Sequence, residues 1–296
     1  MSERANRLTA RSPDKISDPQ RGRLFSLIRN KKGLLGVSIL LAIVITALLA
    51  PVLARYDPTT MHPIDRFSAP TSRYLLGTDF FGRDILSRII YGYRTSLYIA
   101  FLSVTLAVAL GGSLGVLAGY FGRLETLIMR TMDILFAFPV LLLAITIVVI
   151  LGPGTISTLL AIGLVYTPIF SRTARGPTLA VKQESYIEAA RALGASDRRI
   201  IARHILPNVA VPVFIQATIS LATAIIFESS LSFLGLGTQP PQPSLGLMVS
   251  EGRNYLEISP WGTVFPGMAI ALVVLGFNLF GDTLQELLNP QLNREG

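Results

Sequence analysis

The sequence lacks cysteine, and it has only two histidines and few charges. Without cysteine it can form neither a disulfide framework nor a thiolate metal site. His62 and His204 are far apart in sequence, and no H-E-x-x-H motif occurs, so we expect no histidine-based metal or catalytic site. Charged residues make up 15% of the chain, against about 25% in soluble domains. This shortage of charge argues against a soluble globular protein.

Motifs for several kinds of chemistry are missing as well. The phosphate-binding pattern G-x-x-x-x-G-K-[ST] does not occur, nor does the dipeptide Gly-Lys, so we do not expect this chain to hydrolyse ATP. A membrane-embedded hydrolase would need a nucleophile and base within a span, and the sequence offers no such pair. A stand-alone channel or ion-coupled transporter would favour several acids or cations deep in its spans, and this chain has few.

What the sequence has in abundance is apolar runs. Hydrophobic residues make up 51% of the chain, and the mean hydropathy is +0.55. A helix of about 20 residues crosses the hydrocarbon core of a bilayer. The runs therefore predict an all-α polytopic membrane protein with six transmembrane helices, at 34–54, 96–120, 133–152, 156–171, 209–230 and 262–281.

Positive charge predicts the topology of these spans. Nineteen of the 26 Lys and Arg fall in alternate connecting segments, namely 1–33, 121–132, 172–208 and 282–296. By the positive-inside rule, both termini are then cytoplasmic. The net charge of +8 is thus explained by topology and anionic lipid, with no need for nucleic acid. The apolar run from Leu34 to Leu53 is too long for a cleaved signal peptide, which makes it an uncleaved first span.

Small and helix-breaking residues predict local features of the spans. Gly111, Gly115 and Gly119 share one helix face, which favours close packing against another helix. Pro139 is expected to kink the third span. The Gly- and Pro-rich loop 231–261 disfavours a long helix.

Two acids near span ends are candidate gate or path residues, together with Pro139. Acids within membrane spans suggest function by default. Asp133 begins the third span, and we expect it to pair with Arg130 three residues before it. Glu228 lies near the outer end of the fifth span, where it either lines the outer mouth or holds the following loop.

The charged segment between the fourth and fifth spans predicts two short helices. Ser185 and Glu188 form a capping box, and Gly194 suits the left-handed residue that ends a helix. A second helix over 197–205 is expected to follow and to end at Pro207. The segment therefore predicts helix, glycine turn and helix between two membrane spans.

Local physics gives Glu188 a structural role, as a helix cap that pairs with Arg191. That role does not account for the small face formed by Ala190 and Gly194. A shallow surface beside an acid suits insertion into a cleft of a partner that supplies a cation.

The spacing of this segment also resembles a known motif. Glu188-Ala189-Ala190-x-x-x-Gly194, followed by Leu206-Pro207, resembles the EAA loop of permease subunits of ABC importers. Further segments are similar to the dipeptide/oligopeptide/nickel group, namely those at 76–97, 231–241 and 277–282. The basic tail, single first span and long outer loop resemble the second ("C") permease of that group. The likeness covers about residues 25–293, and Leu245 departs from it where tryptophan is common.

The resemblance implies a type I ABC importer transmembrane domain with cytoplasmic coupling helices. Its parts would be a basic cytoplasmic tail (1–33), a first transmembrane helix with a long outer loop (34–95) and the core domain (96–290), which carries the EAA loop at 185–207. The implied function is passage of short peptides across the bacterial inner membrane. Import of nickel or another small solute is the alternative.

The resemblance also implies partners and roles. The chain would pair with a homologous permease, two cytoplasmic ATPase subunits and an external substrate-binding protein. It would bind no cofactor itself, and ATP and Mg would be held by the ATPases. ATPase coupling would fall to Glu188, Ala189, Ala190, Gly194, Leu206 and Pro207. Supporting contacts, or mere solvation of the loop, would fall to Arg191, Arg198 and Arg199.

Overall fold

A computed structural model describes residues 31–288, and the chain within that range is helical. Among these residues, β pairing is limited to an isolated bridge between Thr78 and Asp84. Only the last three residues of the predicted tail 1–33 are described, and they begin the first helix. The principal helices are α1 Lys31–Leu48, α2 Ile85–Tyr120, α3 Gly122–Phe136, α4 Val140–Leu151, α5 Thr155–Lys182, α6 Ser185–Ala192, α7 Asp197–Phe233, α8 Leu245–Gly252 and α9 Trp261–Leu288.

The length and composition of these helices fit a polytopic membrane protein. Five of them can cross a membrane, namely α1, α2, α5, α7 and α9, and α3 with α4 supplies a sixth crossing if the pair is one broken span. The all-α architecture predicted from the apolar runs is therefore confirmed. As predicted, the region 231–261 contains no long helix, and α8 there is eight residues long.

The third span, predicted as one helix over 133–152, is broken. α3 ends at Phe136, α4 begins at Val140, and the two helices are bent by 92°. Proline lacks an N–H group, and its ring disfavours helical backbone at the residue before it. The helix therefore stops ahead of Pro139, and the bend is much larger than the predicted kink.

The fourth span is longer than the predicted 156–171. α5 runs for 28 residues and includes both Pro168 and Pro177. Prolines are tolerated in membrane helices where neighbouring groups satisfy the freed carbonyls. Residues 172–182 were predicted as loop because hydrophobicity falls there, but they continue the helix beyond its apolar part.

Pro207 does not end a helix, contrary to the prediction. A π-helical turn, Ile201–Ile205, leads directly into the segment Leu206–Phe233, and the whole of α7 spans 37 residues. A π turn shifts the hydrogen-bond pairing by one residue. The turn thus lies where the missing N–H of Pro207 would otherwise interrupt the α-helical pattern.

The glycine face of α2 packs directly on α5, which confirms the predicted close packing. A Cβ added to Gly111 would lie 2.2 Å from the Thr167 carbonyl oxygen, and one added to Gly115 would lie 2.2 Å from that of Ser171. Gly119 is similarly close to Thr178, with 2.8 Å to its Cβ. Because most of these neighbours are backbone atoms, the two helices touch main chain to main chain.

Gly115→Ala is expected to destabilise the protein by about 1–3 kcal/mol or more, because the added methyl group overlaps the Ser171 backbone. The matched control is Gly112→Ala, in the same helix, where an added Cβ meets nothing within 4 Å. Alanine also favours helix over glycine. The check is thermal unfolding of the purified protein. Equal melting temperatures for the two variants would contradict the close contact.

Candidate functional site

The EAA hairpin, residues 185–207, connects α5 to the membrane part of α7. Its first helix, α6, begins after Glu184, which occupies the N-cap position and makes no side-chain cap hydrogen bond. The Glu184 carbonyl oxygen accepts from the Ile187 amide at 2.9 Å. Ser185 is thus already inside the helix, and the predicted capping box with Glu188 is wrong. The chain turns one residue earlier than the Ser-x-x-Glu pattern indicates.

The other end of α6 closes as predicted. Gly194 has a φ of +83°, in the left-handed region that favours glycine. The Ala195 amide donates to the Ala190 carbonyl at 3.0 Å, and the Gly194 amide donates to that of Arg191 at 2.9 Å. This pair of bonds is a Schellman motif, so the direction in which the hairpin turns is fixed by the backbone.

Three isoleucines anchor the hairpin to the rest of the molecule. Ile187 of α6, with Ile200 and Ile205 of α7, is fully buried in the main hydrophobic core. Burying each such side chain contributes about 1.5–3 kcal/mol. The hairpin is therefore a preformed part of the fold.

The opposite face of α6 is open. Glu188 and Ala189 are exposed, Ala190 is half-buried, and Leu193 beside the glycine turn is 89% exposed. No ion pair joins Glu188 to another residue between 31 and 288. The motif residues thus present an acid, small side chains and one exposed leucine. Leu193 lies inside the motif, but its exposure was not predicted from the sequence.

Arg191 contacts Tyr120, and its predicted pairing with Glu188 is not formed. Its guanidinium lies 5.5 Å from the centroid of the Tyr120 ring. The Tyr120 hydroxyl donates to Asp197 at 2.5 Å, and the Tyr120 backbone carbonyl accepts from Lys182 Nζ at 2.7 Å. The pKa of Arg191 is raised, and the largest cause is its interaction with the Tyr120 hydroxyl. The end of α2 thus holds both helices of the hairpin.

The remaining motif residues lie at the start of α7. Arg198 and Arg199 are exposed in its first turn, and Leu206 and Pro207 are exposed just after the π turn. All the residues predicted for coupling therefore lie in this hairpin. The structure places the candidate path residues elsewhere.

Asp133 pairs with α5, and the predicted partner Arg130 is wrong. Arg172 Nη2 lies 2.6 Å from Asp133 Oδ1, with both side chains more than half exposed. The Arg172 guanidinium also lies 4.2 Å from the Phe136 ring centroid. Because α5 continues past residue 171, Arg172 stands opposite α3 and replaces the local neighbour.

Glu228 is fully buried, so within this chain it does not line an open mouth. Its Oε2 accepts from Ser96 Oγ of α2, and its Oε1 accepts from Ser232 Oγ, both at 2.8 Å. An acid enclosed in this way joins α7 to α2. Sequence alone could not show the contact, because Ser96 is 132 residues away.

A buried ion cluster that was not predicted from the sequence lies at the opposite end of the bundle from the EAA hairpin. Glu251 of α8 accepts from Arg83 at 2.8 Å and from Arg88 at 2.9 Å. Asp79 accepts from Arg83 Nε at 2.6 Å. Asp79, Arg83 and Arg88 lie in the segment 76–97, but Glu251, the shared partner of the two arginines, is more than 160 residues beyond them.

Two known protein families match parts of this chain. A family described as binding-protein-dependent transport system inner membrane component matches residues 107–294. The N-terminal transmembrane domain of oligopeptide transport permease C matches residues 23–70.

Three relatives are similar over most of their length. A dipeptide transport system permease protein of Alkalihalophilus pseudofirmus is 44% identical over 93% of this chain and 90% of its own. A putative peptide transport system permease protein of Brucella abortus is 40% identical over 100% of both chains. A glutathione transport system permease protein of Pectobacterium atrosepticum is 44% identical over 87% of this chain and 86% of its own.

The fold also matches a solved structure, titled as an inward facing conformation of a methionine ABC transporter. The TM-score is 0.56 at 19% identity, over 69% of this chain and 98% of that one. At 19% identity, this match shows that the two chains share a fold, and nothing more.

Proposed function

This chain belongs to the family of inner membrane components of binding-protein-dependent transport systems, and from that premise we propose that it forms half of an ATP-driven translocation path for short peptides. The observation that carries the proposal is the full-length match to a peptide permease, 40% identical over 100% of both chains. Relatives that bear dipeptide and glutathione transport names support the same substrate class.

The EAA hairpin is the proposed contact with an ATPase. Its buried isoleucines and its Schellman turn hold it in one shape, so little conformational entropy is lost on docking. Its open face offers Glu188 to a cation or to amide groups of the partner. Ala189, Ala190 and Gly194 allow close approach, and Leu206 and Pro207 continue the surface. Arg198 and Arg199 are free to pair with acids of the partner.

The remaining subunits follow from this assignment. Because the chain has no phosphate-binding motif, ATP and Mg would be held by two separate ATPases on the cytoplasmic side. A homologous permease would complete the path, and an external protein would deliver the substrate. The excess of Lys and Arg in the segments that include the hairpin favours a cytoplasmic hairpin and cytoplasmic termini. Asp133, Pro139 and Glu228 remain candidates for the path and its gating.

Reconstitution tests the substrate class. The chain with its partner permease, ATPases and binding protein in liposomes is expected to accumulate a labelled dipeptide only when ATP is present. The control is the same assay with labelled Ni²⁺. Accumulation of Ni²⁺ without accumulation of any dipeptide would replace the peptide assignment with the metal alternative.

A further inference from the structure

A cavity of about 280 Å³ lies beside the ion cluster, between the segment 76–88, α8 and the start of α9. α2 begins at this end of the bundle with Ile85 and reaches the EAA hairpin with Tyr120. The Gly154 amide at the start of α5 donates to the Leu236 carbonyl at 3.1 Å, which places the loop after α7 at this end too. If the hairpin is cytoplasmic, the α8 cavity faces the outside.

The charges beside the cavity are balanced and deeply buried. The side chains of Arg83 and Arg88 are 2% and 1% exposed, while those of Asp79 and Glu251 are 13% and 22% exposed. Burying ions costs more than their attraction repays unless each is well paired and hydrogen-bonded. The two cations and two anions leave the cluster neutral overall, so a ligand that is itself neutral overall, such as a zwitterion, keeps the charges balanced.

Some hydrogen-bond donors at the cavity remain unused. Nε and Nη1 of Arg88 and Oγ of Ser259 are buried, with no hydrogen-bond partner among residues 31–288. Arg88 Nη1 lies 3.3 Å from Asp79 Oδ2 but makes no hydrogen bond with it. Arg88 and Ser259 both line the cavity. A buried donor without an acceptor is unfavourable, so the cavity suits a ligand that brings acceptor oxygens.

The other walls are aromatic. The rings of Phe80 and Tyr255 stack with centroids 4.7 Å apart, and Phe67 lies 5.1 Å from Tyr255. Phe67 has a φ of +56°, which is rare for a residue with a side chain. Strain of this kind persists where the surrounding structure enforces it, often at ligand sites. These rings form an apolar surface beside the buried donors.

We propose that the α8 cavity binds the carboxylate end of a small zwitterionic ligand with an apolar side chain. Building on the proposed function, this ligand is the C-terminal residue of a peptide on the outer side of the membrane. The carboxylate accepts from the Ser259 hydroxyl and from the Arg88 N–H groups that make no hydrogen bond among residues 31–288, and the side chain packs on Phe80 and Tyr255. The volume holds the terminal residue, and the rest of the peptide extends through the opening.

The test measures binding of labelled alanyl-phenylalanine to the full complex in nanodiscs, without the external binding protein. Gly262→Leu blocks the cavity, because a Cβ added to Gly262 meets nothing nearer than 3.9 Å and Gly262 lines the cavity. Gly267→Leu is the matched control in the same helix, with nothing within 4 Å and a position outside the cavity. Ser259→Ala removes only an unused hydroxyl. Replacing Arg88 would break the ion cluster and is avoided.

Saturable binding of the free dipeptide is expected, weakened about tenfold or more by C-terminal amidation, which removes the charged acceptor. N-acetylation is expected to change it less. Gly262→Leu should weaken binding about tenfold or more, Ser259→Ala several-fold, and Gly267→Leu not at all.

Wild-type binding in Gly262→Leu and Ser259→Ala, or equal binding of the amide, overturns the site. If the wild-type complex transports dipeptides with its binding protein but shows no binding here, the site is wrong and the proposed function stands. If it transports no peptide at all, the proposed function is itself wrong.

Discussion

Glu188→Lys is expected to lower ATP-driven uptake about a hundredfold, because it places a cation where the partner is expected to supply one; truncating a buried interfacial charge pair costs about 2–5 kcal/mol. Glu188 is exposed and has no ion pair among residues 31–288 that the change would break. The fold should therefore survive, and the loss should be in docking. The measurement is uptake and co-purification of the ATPase.

The control is Glu257→Lys, the same charge change at an exposed position near α8, at the opposite end of the bundle. It should leave uptake within about twofold, as surface substitutions usually do. Normal ATP-coupled uptake by Glu188→Lys would show that the acid has no part in docking.

Gly194 gives a second test of the same contact. A Cβ there meets nothing within 4 Å of this chain, but a φ of +83° strains any residue other than glycine or asparagine. Gly194→Asn is therefore the control for strain, and Gly194→Trp adds bulk on the open side. If uptake falls in Gly194→Trp but not in Gly194→Asn, a partner lies against Gly194. If the two variants have equal uptake, no partner contacts this position.

Glu251→Ala is expected to destabilise the protein by about 3–5 kcal/mol, because it leaves two buried guanidinium groups without their shared acceptor. Glu251→Gln keeps one acceptor oxygen and should lose less. The measurement is thermal unfolding of the purified complex, with Glu257→Ala as an exposed control. A Glu251→Ala variant that melts with the control would mean that Asp79 alone satisfies Arg83 and Arg88.

The features that sequence predicted correctly are set by spacing within one helix. Gly111, Gly115 and Gly119 repeat every four residues and so share a face, whatever they pack against. Gly194 follows a run of good helix formers, and its left-handed turn needs only local hydrogen bonds. Each of these features is complete within a few residues.

The errors concern contacts that depend on the whole fold. The predictions paired Asp133 with Arg130, and Arg191 with Glu188, because i,i+3 neighbours are the partners that sequence can show. The actual partners are Arg172 and Tyr120, brought close by packing between helices. The effects predicted for two prolines are both wrong. Pro139 breaks a span that was expected only to kink, whereas Pro207 follows a π turn and lies within a continuous helix.

Because α7 is continuous, one helix connects the EAA hairpin to the opposite end of the molecule. At 1.5 Å per residue its 37 residues span about 55 Å, from the Asp197 contact with Tyr120 to Phe233. The Phe233 carbonyl accepts from Ser250 Oγ at 2.7 Å, and the next residue is Glu251. We expect α7 to transmit a displacement of the hairpin to α8, the helix that carries Glu251. The π turn Ile201–Ile205 and Pro212 are places along α7 where the regular α-helical hydrogen bonding is interrupted.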